Sequence, residues 1–387
     1  MLAIFHNTAP SGARRVASPI MAAHRSVLRS HAETPRVLTG ADLWGNASAI
    51  AAHQAWVRAF TNASIIIGVQ KSGTTALGAL LRIVLGLREK SHRKELHMFA
   101  TPRSLKFFHR KIEELTEDRW LTDATPNYFQ SLTALLQYRI VLPHARFWLV
   151  LRDPIDRAFS AWDQNRRAEA EQRTFNVAVH QELRDLLTRC TDGGPGILGA
   201  RRGINATGAA RIAGMLGTQL RVARLAREMA ETYTRWPPCL QRSCWLSTVD
   251  PDAPACKEYL VKGLAANVIG LWRARYGRAL TVVRLEDIYS NLTNTAFALA
   301  AINGVPRPTA LWQRQALAKL EAQGGCFHAC KQEKANQSQL LHRMNSVTER
   351  KLMAFYAADQ AALRRLDPNL RWPRFDAHVA AVQKQSG

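Results

Sequence analysis

No run of 18 or more apolar residues occurs in this chain of 387 residues. A helix needs about 20 consecutive apolar residues to cross a bilayer, so no membrane-spanning helix is expected. Acidic residues are absent from residues 1–30, which hold four Arg and several Ser. That composition suits an organelle transit peptide, although its apolar runs are too short for a secretory signal, and an incompletely captured N-terminus fits equally well. The N-terminal segment therefore stays ambiguous.

Acidic residues are scarce in the chain as a whole, with 30 Asp and Glu against 53 Lys and Arg and a formal net charge of +23. Such a field favours a polyanionic partner, which is a nucleic acid, an acidic membrane face or an acidic polysaccharide. The aromatic–basic modules of RNA- and DNA-binding proteins are not found, and no nucleic acid is expected. With 47% apolar and 21% charged residues, the chain is typical of a globular protein.

Cysteine is rare and clustered. The six cysteines lie in loop-like sequence, which favours disulfides over buried thiols: Cys190, Cys239, Cys244, Cys256, Cys326 and Cys330. Zinc is the weaker interpretation, because the spacings supply no fourth ligand, and no metal is predicted. Five N-x-[ST] sequons modestly favour a secretory lumen and glycosylation, at Asn46, Asn62, Asn205, Asn291 and Asn336.

Three short apolar runs predict buried strands, at Ile65–Val69, Arg146–Leu151 and Leu280–Leu285. Helical patterns follow at Leu77–Val84 and over 131–142, 210–233, 257–277 and 348–366. This alternation predicts an α/β fold: a P-loop-like, doubly wound parallel sheet flanked by helices in a single domain.

The expected boundaries follow from these patterns. They are a poorly structured leader and linker over 1–60, the domain over 61–375 with a Cys- and Pro-rich excursion at 235–256, and a tail over 376–387.

The stretch from Ser64 to Gly86 resembles a phosphate loop whose lysine is displaced. Gly68 and Gly73 have the G-x-x-x-x-G spacing of a Walker A loop, but Thr74 follows where a lysine should stand, and the lysine is Lys71. A strand, a glycine turn and a helix N-terminus form an anion site, because unpaired N–H groups converge there. Without the lysine that serves the β- and γ-phosphates, the loop favours a ligand with a single 5′-phosphate-like group.

A second motif occupies Phe147–Trp162, where a predicted strand ends in Arg152 and Ser160 follows on the next helix. The carboxyl ends of parallel strands face the crevice in which α/β sheets bind ligands. Arg and Ser there can clamp a second phosphate. The alternative is an Arg152 that only pairs with Asp153 or Asp156 in a turn.

Together, IIIGVQKSGTTAL and LVLRDPIDRAFSAW resemble the 5′-phosphosulfate loop and the 3′-phosphate motif of sulfotransferases that use 3′-phosphoadenosine 5′-phosphosulfate (PAPS). The look is closest to the Golgi heparan sulfate and related glycosaminoglycan sulfotransferases. KELHMF (94–99), TDATPNYF (122–129) and CFHACKQEKA (326–335) are similar to three further segments of that group.

The departures suggest a divergent member. Ala124 replaces a lysine near the reacting centre, and Gln332 and Glu333 replace a Gly-Arg pair. The aromatic-Cys that normally precedes this last loop is missing, so Cys326 must pair elsewhere.

The resemblance implies a PAPS-dependent transferase that needs no metal and moves a sulfuryl group to a hydroxyl or amine of a glycan. It implies Lys71 at the bridging oxygen, Ser72, Gly73, Thr74 and Thr75 at the 5′-phosphosulfate, Arg152 and Ser160 at the 3′-phosphate, and Lys331 near the nucleotide. Glu95 is the candidate base, and His97 is a candidate for sulfonate contact or proton handling. The alternatives are a solvated ion pair between Glu95 and its basic neighbours, and a buried structural role for His97.

The expected acceptor is an acidic, glycosaminoglycan-like glycan, which the cationic surface would attract. The resemblance, the cysteines and the sequons together favour the Golgi lumen or the secretory pathway. Two other functions stay open. A P-loop kinase would need a lysine at position 74 and an acidic metal ligand at a strand end, and a basic polyanion-binding protein would need no catalysis. The acceptor sugar and the choice between O- and N-sulfation are not fixed by the residues.

Overall fold

A four-stranded parallel sheet organises the part of the chain that the computed structural model describes, which is residues 47–87, 95–101, 103–191, 259–306 and 344–386. Its strands are β1 Asn62–Gly68, β2 Trp120–Asp123, β3 Arg146–Leu151 and β4 Leu280–Arg284, in the order β2-β1-β3-β4. All three neighbouring pairs are parallel. The predicted α/β fold with a parallel sheet flanked by helices is confirmed. All described residues fall within one compact unit, Thr39–Gly387.

The three predicted strands are present, and a fourth was missed. β3 has the predicted bounds, while β1 begins three residues earlier than expected. β2 has only four residues, and alternate ones are buried. A strand this short gives no apolar run, which explains why the sequence did not reveal it.

The helices of the described ranges are α1 Ala47–Phe60, α2 Thr74–Val84, α3 Leu105–Leu115, α4 Leu132–Val141, α5 Pro154–Arg167, α6 Phe175–Thr191, α7 Ala266–Tyr276, α8 Leu285–Ser290, α9 Leu292–Asn303, α10 Ser346–Leu366 and α11 Asp376–Ser386. Short 3₁₀ turns cover Pro126–Gln130, Val261–Gly263, Gly277–Ala279 and Pro373–Phe375.

Two of these helices correct the predicted boundaries. α1 lies within the expected linker, and α11 occupies the expected tail. Each buries an apolar side chain in the larger apolar cluster, Val57 in α1 and Val379 in α11, so both helices pack on the core.

Helices cover both faces of the sheet. Alternate residues of β1 and β3 enter two separate apolar clusters: Ile65, Ile67, Phe147 and Leu149 face one, and Ile66, Trp148 and Val150 face the other. The larger cluster includes residues of α1, α4, α5, α7 and α10, and the smaller one residues of α2, α8 and α9. Burial on both faces explains why the strands read as near-continuous apolar runs.

The strand order places a switch point between β1 and β3. The chain leaves β1 towards β2 on one side and leaves β3 towards β4 on the other. The segments after β1 and β3 therefore diverge and leave a crevice at their carboxyl ends, where open α/β sheets bind ligands. The predicted phosphate loop and Arg152 flank this crevice.

Several predictions fall outside the described residues. They concern Lys331, the six cysteine side chains, the excursion at 235–256, the helical pattern over 210–233 and the sequons at Asn46, Asn205 and Asn336. Within the described ranges, no helix has the length and apolar character to cross a membrane.

Candidate active site

The phosphate loop runs from Gly68 to Thr75 and joins β1 to α2. It is a tight turn in which the Ser72 N–H donates to the Val69 carbonyl at 3.1 Å. Lys71 and Gly73 both adopt left-handed backbone angles, with φ of 69° and 92°. Gly73 is the N-cap of α2 and offers no side-chain cap. The first-turn N–H groups of α2 have no partner within the helix, so this helix N-terminus can receive an anion.

Gly73 cannot be replaced without strain. A Cβ atom at this position would lie 2.2 Å from Cδ1 of Leu285, the first residue of α8. The loop thus depends on a residue without a side chain both for its backbone angle and for its contact with α8.

The hydroxyls of the loop differ in their surroundings. Ser72 is completely buried, and its Oγ has no hydrogen-bond partner among the described residues. Thr74 is buried in the first turn of α2, whereas Thr75 is exposed. Burying an unpaired hydroxyl is costly, so Ser72 Oγ and the helix N-terminus together fit a cradle for an anionic group.

Arg152 connects the two predicted motifs. It follows β3, and its Nη1 donates to the backbone carbonyl of Lys71 at 3.4 Å, across 81 residues of sequence. Ser160 lies on α5 and is buried. The structure therefore brings the phosphate loop and the Arg152 guanidinium together, as the resemblance implies.

The acidic residues after Arg152 have another partner. Asp153 caps α5 by accepting from the N–H groups of Ile155 and Asp156 at 2.9 and 3.2 Å. Arg374 Nη1 lies 3.4 Å from Asp153 Oδ1 and 3.1 Å from Asp156 Oδ1. Burial and the Asp156 charge raise the pKa of Asp153, and the Arg374 charge opposes that rise. The C-terminal segment thus stabilises the start of the helix that carries Ser160.

Glu95 and His97 lie together between the end of α2 and the start of α3. His97 Nε2 is 3.3 Å from Glu95 Oε2, and the two side chains are 51% and 34% exposed. The interpretation of His97 as a buried structural residue is therefore wrong. His97 has a left-handed φ of 52°, a strained conformation that persists only where its surroundings fix it.

Sequence reasoning missed a cation that contacts the phosphate loop. Lys262 Nζ donates to Gln70 Oε1 in the phosphate loop at 3.1 Å. Gln130 Nε2 contacts the Lys262 carbonyl at 3.4 Å, and Trp272 Nε1 donates to the Phe129 carbonyl at 2.7 Å. The turn Pro126–Gln130 is thereby held between Lys262 and the loop. The sequence marks Lys262 only as a lysine in a turn before a helix, and that pattern is too common to single it out.

Position 124, where the related group has a lysine, is packed away from solvent. A Cβ on Gly78 of α2 would lie 3.5 Å from the Ala124 Cβ, and Ala124 is buried in the smaller cluster. In this chain Lys262 brings a cation to the phosphate loop, whereas Ala124 contributes to packing.

Residues 61–196 match the family described as the sulfotransferase domain. The matched segment is about a third of the chain and is similar to that domain. The match bears out the predicted resemblance to sulfotransferases, and it spans every candidate site residue except Lys331.

Relatives of the sulfotransferase domain are distant. The chain is 29% identical over 147 residues to the human bifunctional heparan sulfate N-deacetylase/N-sulfotransferase 2, covering 33% of this chain and 16% of that protein. It is 26% identical over 140 residues to the membrane-associated sulfotransferase kil1 of Dictyostelium discoideum, covering 33% of this chain and 29% of that protein. The alignments thus cover less than a third of these relatives. A crystal structure of a sulfotransferase from Alicyclobacillus acidocaldarius aligns with 18% identity and a TM-score of 0.45, over 78% of this chain and 94% of that one.

Proposed function

We propose that the protein transfers the sulfuryl group of PAPS to a hydroxyl or amine of an acidic glycan. The observation that carries this proposal is the contact between Arg152 and the Lys71 carbonyl at the switch point. This contact places the Arg152 guanidinium beside a phosphate loop that lacks the Walker lysine. A nucleoside with one phosphate group at its 5′ end and another at its 3′ end needs two such anion sites close together. The match to the sulfotransferase domain supports the same chemistry.

The donor supplies an activated sulfuryl group, and the residues of the chain bind and orient it. The Lys71 ammonium neutralises charge on the bridging oxygen as it leaves. Hydroxyls of Ser72, Thr74 and Thr75 and the N–H groups around Gly73 receive the 5′-phosphosulfate. Such preorganised donors act where charge develops, which is why they accelerate transfer.

The other end of the nucleoside is held by Arg152 and Ser160, which receive the 3′-phosphate. Lys331 adds a nucleotide contact, as the resemblance implies. No metal is needed, because these cations balance the charge of the donor.

Glu95 is the proposed general base. Its carboxylate takes the proton of the attacking hydroxyl as the new S–O bond forms and the bond to the bridging oxygen breaks. His97, at 3.3 Å from Glu95, orients the carboxylate or contacts the sulfonate. Both side chains are partly exposed, so an acceptor can reach them.

The acceptor is proposed to be glycosaminoglycan-like. The name of the human relative includes heparan sulfate, and the net charge of +23 attracts a polyanion. We place the protein in the Golgi lumen or secretory pathway, where disulfides and glycosylation at the sequons can form.

The decisive experiment is transfer of labelled sulfate from PAPS to a panel of desulfated polysaccharides. Lys71→Ala should lower kcat at least about 100-fold, the size seen when one transition-state donor is removed. Lys384→Ala, at an exposed lysine in the last turn of α11, is the matched control and should be silent. If the protein bound PAPS no more tightly than ATP, a P-loop kinase would be favoured. If it bound PAPS tightly but transferred no sulfate, a polyanion-binding protein without catalysis would be favoured. Either result refutes the proposal.

A further inference from the structure

A buried carboxylate stands at the end of β2, beside the candidate base. Asp123 is 3% exposed. Its Oδ1 accepts from the Thr125 hydroxyl at 2.7 Å and from the Leu96 N–H at 3.2 Å, and its Oδ2 accepts from the Tyr128 hydroxyl at 2.8 Å. Burial raises the pKa of Asp123 to about 6.

The same two hydroxyls reach back to the segment that carries Glu95 and His97. Thr125 Oγ1 accepts from the His97 N–H at 3.2 Å, and Tyr128 Oη accepts from the Phe99 N–H at 3.3 Å. Three N–H groups of residues 96–99 are thus bound, directly or through one hydroxyl, to a single carboxylate. The bond to His97 falls on the residue whose backbone is strained.

The network also adjoins the phosphate loop. A Cβ on Gly68 would lie 2.7 Å from both Phe129 Cβ and the Pro126 carbonyl oxygen. The turn that carries Tyr128 therefore packs directly against the start of the loop. One short segment, 123–129, contacts both the base segment and the phosphate loop.

We propose that Asp123, Thr125 and Tyr128 are positioning residues that hold Glu95 and His97 at a fixed place relative to the phosphate loop. This inference rests on the proposed function for the role of Glu95. A buried ionised group is a poor source of stability, since well-packed apolar residues serve as well. Fixing a partly exposed base segment is a task that apolar residues cannot perform, because backbone N–H groups need acceptors.

Thr125→Val tests the proposal, because it removes the hydroxyl and keeps the shape. Thr125→Ser is the matched control, since it keeps the hydroxyl. We expect Thr125→Val to lower kcat at least about tenfold while the dissociation constant for adenosine 3′,5′-bisphosphate changes less than about twofold. Thr125→Ser should restore most of kcat. Tyr128→Phe should act like Thr125→Val, through Phe99.

Amide hydrogen exchange gives a readout that does not need catalysis. Protection of Leu96, His97 and Phe99 should fall in Thr125→Val, whereas protection in α2 should not. Unchanged exchange at these amides, or equal losses in kcat and bisphosphate binding, would overturn the positioning role. A wild-type protein that transfers no sulfate refutes the proposed function instead, and the exchange result still decides whether the network fixes the segment.

The amino-terminal ends of the four strands form one edge of the sheet, opposite the candidate active site. Exposed arginines lie close to the start of each strand. Arg119 precedes β2, Arg146 begins β3 and Arg278 lies two residues before β4, while Arg58 lies in the last turn of α1, four residues before β1. With about 4.8 Å between strands, this basic edge is about 15 Å wide.

Contacts between neighbouring elements support the grouping. Arg119 Nη2 donates to the Ala59 carbonyl at 3.0 Å, next to Arg58. Burial and the charges of Arg58 and Arg146 lower the pKa of His144, whose Nε2 lies 2.8 Å from the Thr61 carbonyl.

Within the described ranges, ion pairs do not neutralise most of the charge of this edge. Among the residues that the structure describes, Arg58, Arg146 and Arg278 form no ion pair. Asp118 lies beside Arg119, and the nearby Glu117 already pairs with Arg82 at 3.0 Å.

We infer that the basic edge binds a remote part of the acidic polysaccharide acceptor. This rests on the proposed function for the identity of the polymer. β1 has seven residues, so the two ends of the sheet are about 20 Å apart. A long polymer can occupy both ends, whereas a short oligosaccharide can occupy only one.

The test compares two triple charge reversals on the full chain. One is Arg58→Glu, Arg146→Glu and Arg278→Glu, and the control is Arg350→Glu, Lys351→Glu and Arg365→Glu, at exposed positions of α10. Heparin is the probe. The edge variant should bind it at least about tenfold more weakly than wild type, and the control less than about threefold more weakly.

Equal weakening in both variants would show a diffuse field and overturn the inference. Unchanged heparin binding with loss of binding to phosphatidylserine vesicles or duplex DNA would also overturn it, since the edge would then serve another partner. The variants are compared at equal thermal midpoints, and the single Arg146→Gln replaces the triple variant if that unfolds. Heparin binding is measured without PAPS, so the result stands apart from the test of catalysis.

Discussion

Gly73→Ala is the sharpest single perturbation of the phosphate loop. A φ of 92° lies in a region that L-residues avoid, and forcing alanine into a left-handed backbone costs about 1–2 kcal/mol. The new methyl would start 2.2 Å from Leu285 Cδ1, and overpacking of this kind costs about 1–3 kcal/mol. We therefore expect a loss of about 2–5 kcal/mol in the free energy of unfolding.

Thermal unfolding and bisphosphate binding measure this effect together. A loss of this size lowers the thermal midpoint by about 3–7 °C in a folded unit of this length. Affinity for adenosine 3′,5′-bisphosphate should also fall, because the loop must shift to relieve the overlap. Gly270→Ala in α7 is the matched control: no atom lies within 4 Å of its added Cβ, so it should be neutral or slightly stabilising.

The double variant Gly73→Ala with Leu285→Ala separates the two costs. Leu285 is buried, and Leu285→Ala alone should cost about 2–5 kcal/mol. In the double variant the new methyl enters the space that Leu285 vacates. The loss of stability in the double variant should therefore be about 1–3 kcal/mol smaller than the sum of the two single losses. Strict additivity, or a Gly73→Ala protein with wild-type stability and bisphosphate affinity, would refute the reasoning.

Three further predictions concern neighbouring residues. The pKa of Asp123 is raised from 3.8 to about 6, so the stability it contributes is complete below about pH 4 and lost as pH rises through about 6, by about 3 kcal/mol. The free energy of unfolding of Asp123→Asn, measured relative to wild type, should therefore be about 3 kcal/mol more favourable at pH 7 than at pH 4. Lys262→Met should weaken bisphosphate binding about three- to tenfold by calorimetry, and Lys262→Arg should not. Arg374→Gln should raise the pKa of Asp153 and cost about 1–2 kcal/mol in thermal unfolding, while Arg374→Lys costs less. These expectations would be contradicted if the stability difference between Asp123→Asn and wild type did not change with pH. They would also be contradicted if Lys262→Met left bisphosphate binding unchanged or Arg374→Gln left the thermal midpoint unchanged.

Local signals explain what could be predicted from the sequence. β1 and β3 are buried on both faces and β4 is mostly half-buried. All three appear in the sequence as apolar runs, and the spacing of Gly68 and Gly73 marks the loop. These elements sufficed to predict the parallel sheet and to bring Lys71 and Arg152 to one edge of it.

The missing parts depend on contacts across long stretches of sequence. β2 is too short to show a pattern, so the register that places Asp123 opposite Ile65 could not be foreseen. Lys262 reaches Gln70 across 192 residues, and no local property of either residue predicts that contact.

The ion pairs of Arg374 bear on how the protein is made and where it can be cut. Arg374 meets Asp153 across 221 residues, and Tyr356 and Phe375 are fully buried in the same core as β3. The ion pairs at the start of α5 can therefore form only after nearly the whole chain has been synthesised. A fragment that ends at residue 196, the limit of the family match, would keep most of the motifs but expose the apolar surface that α7 and α10 cover. Expression of the sulfotransferase domain should accordingly extend through α11.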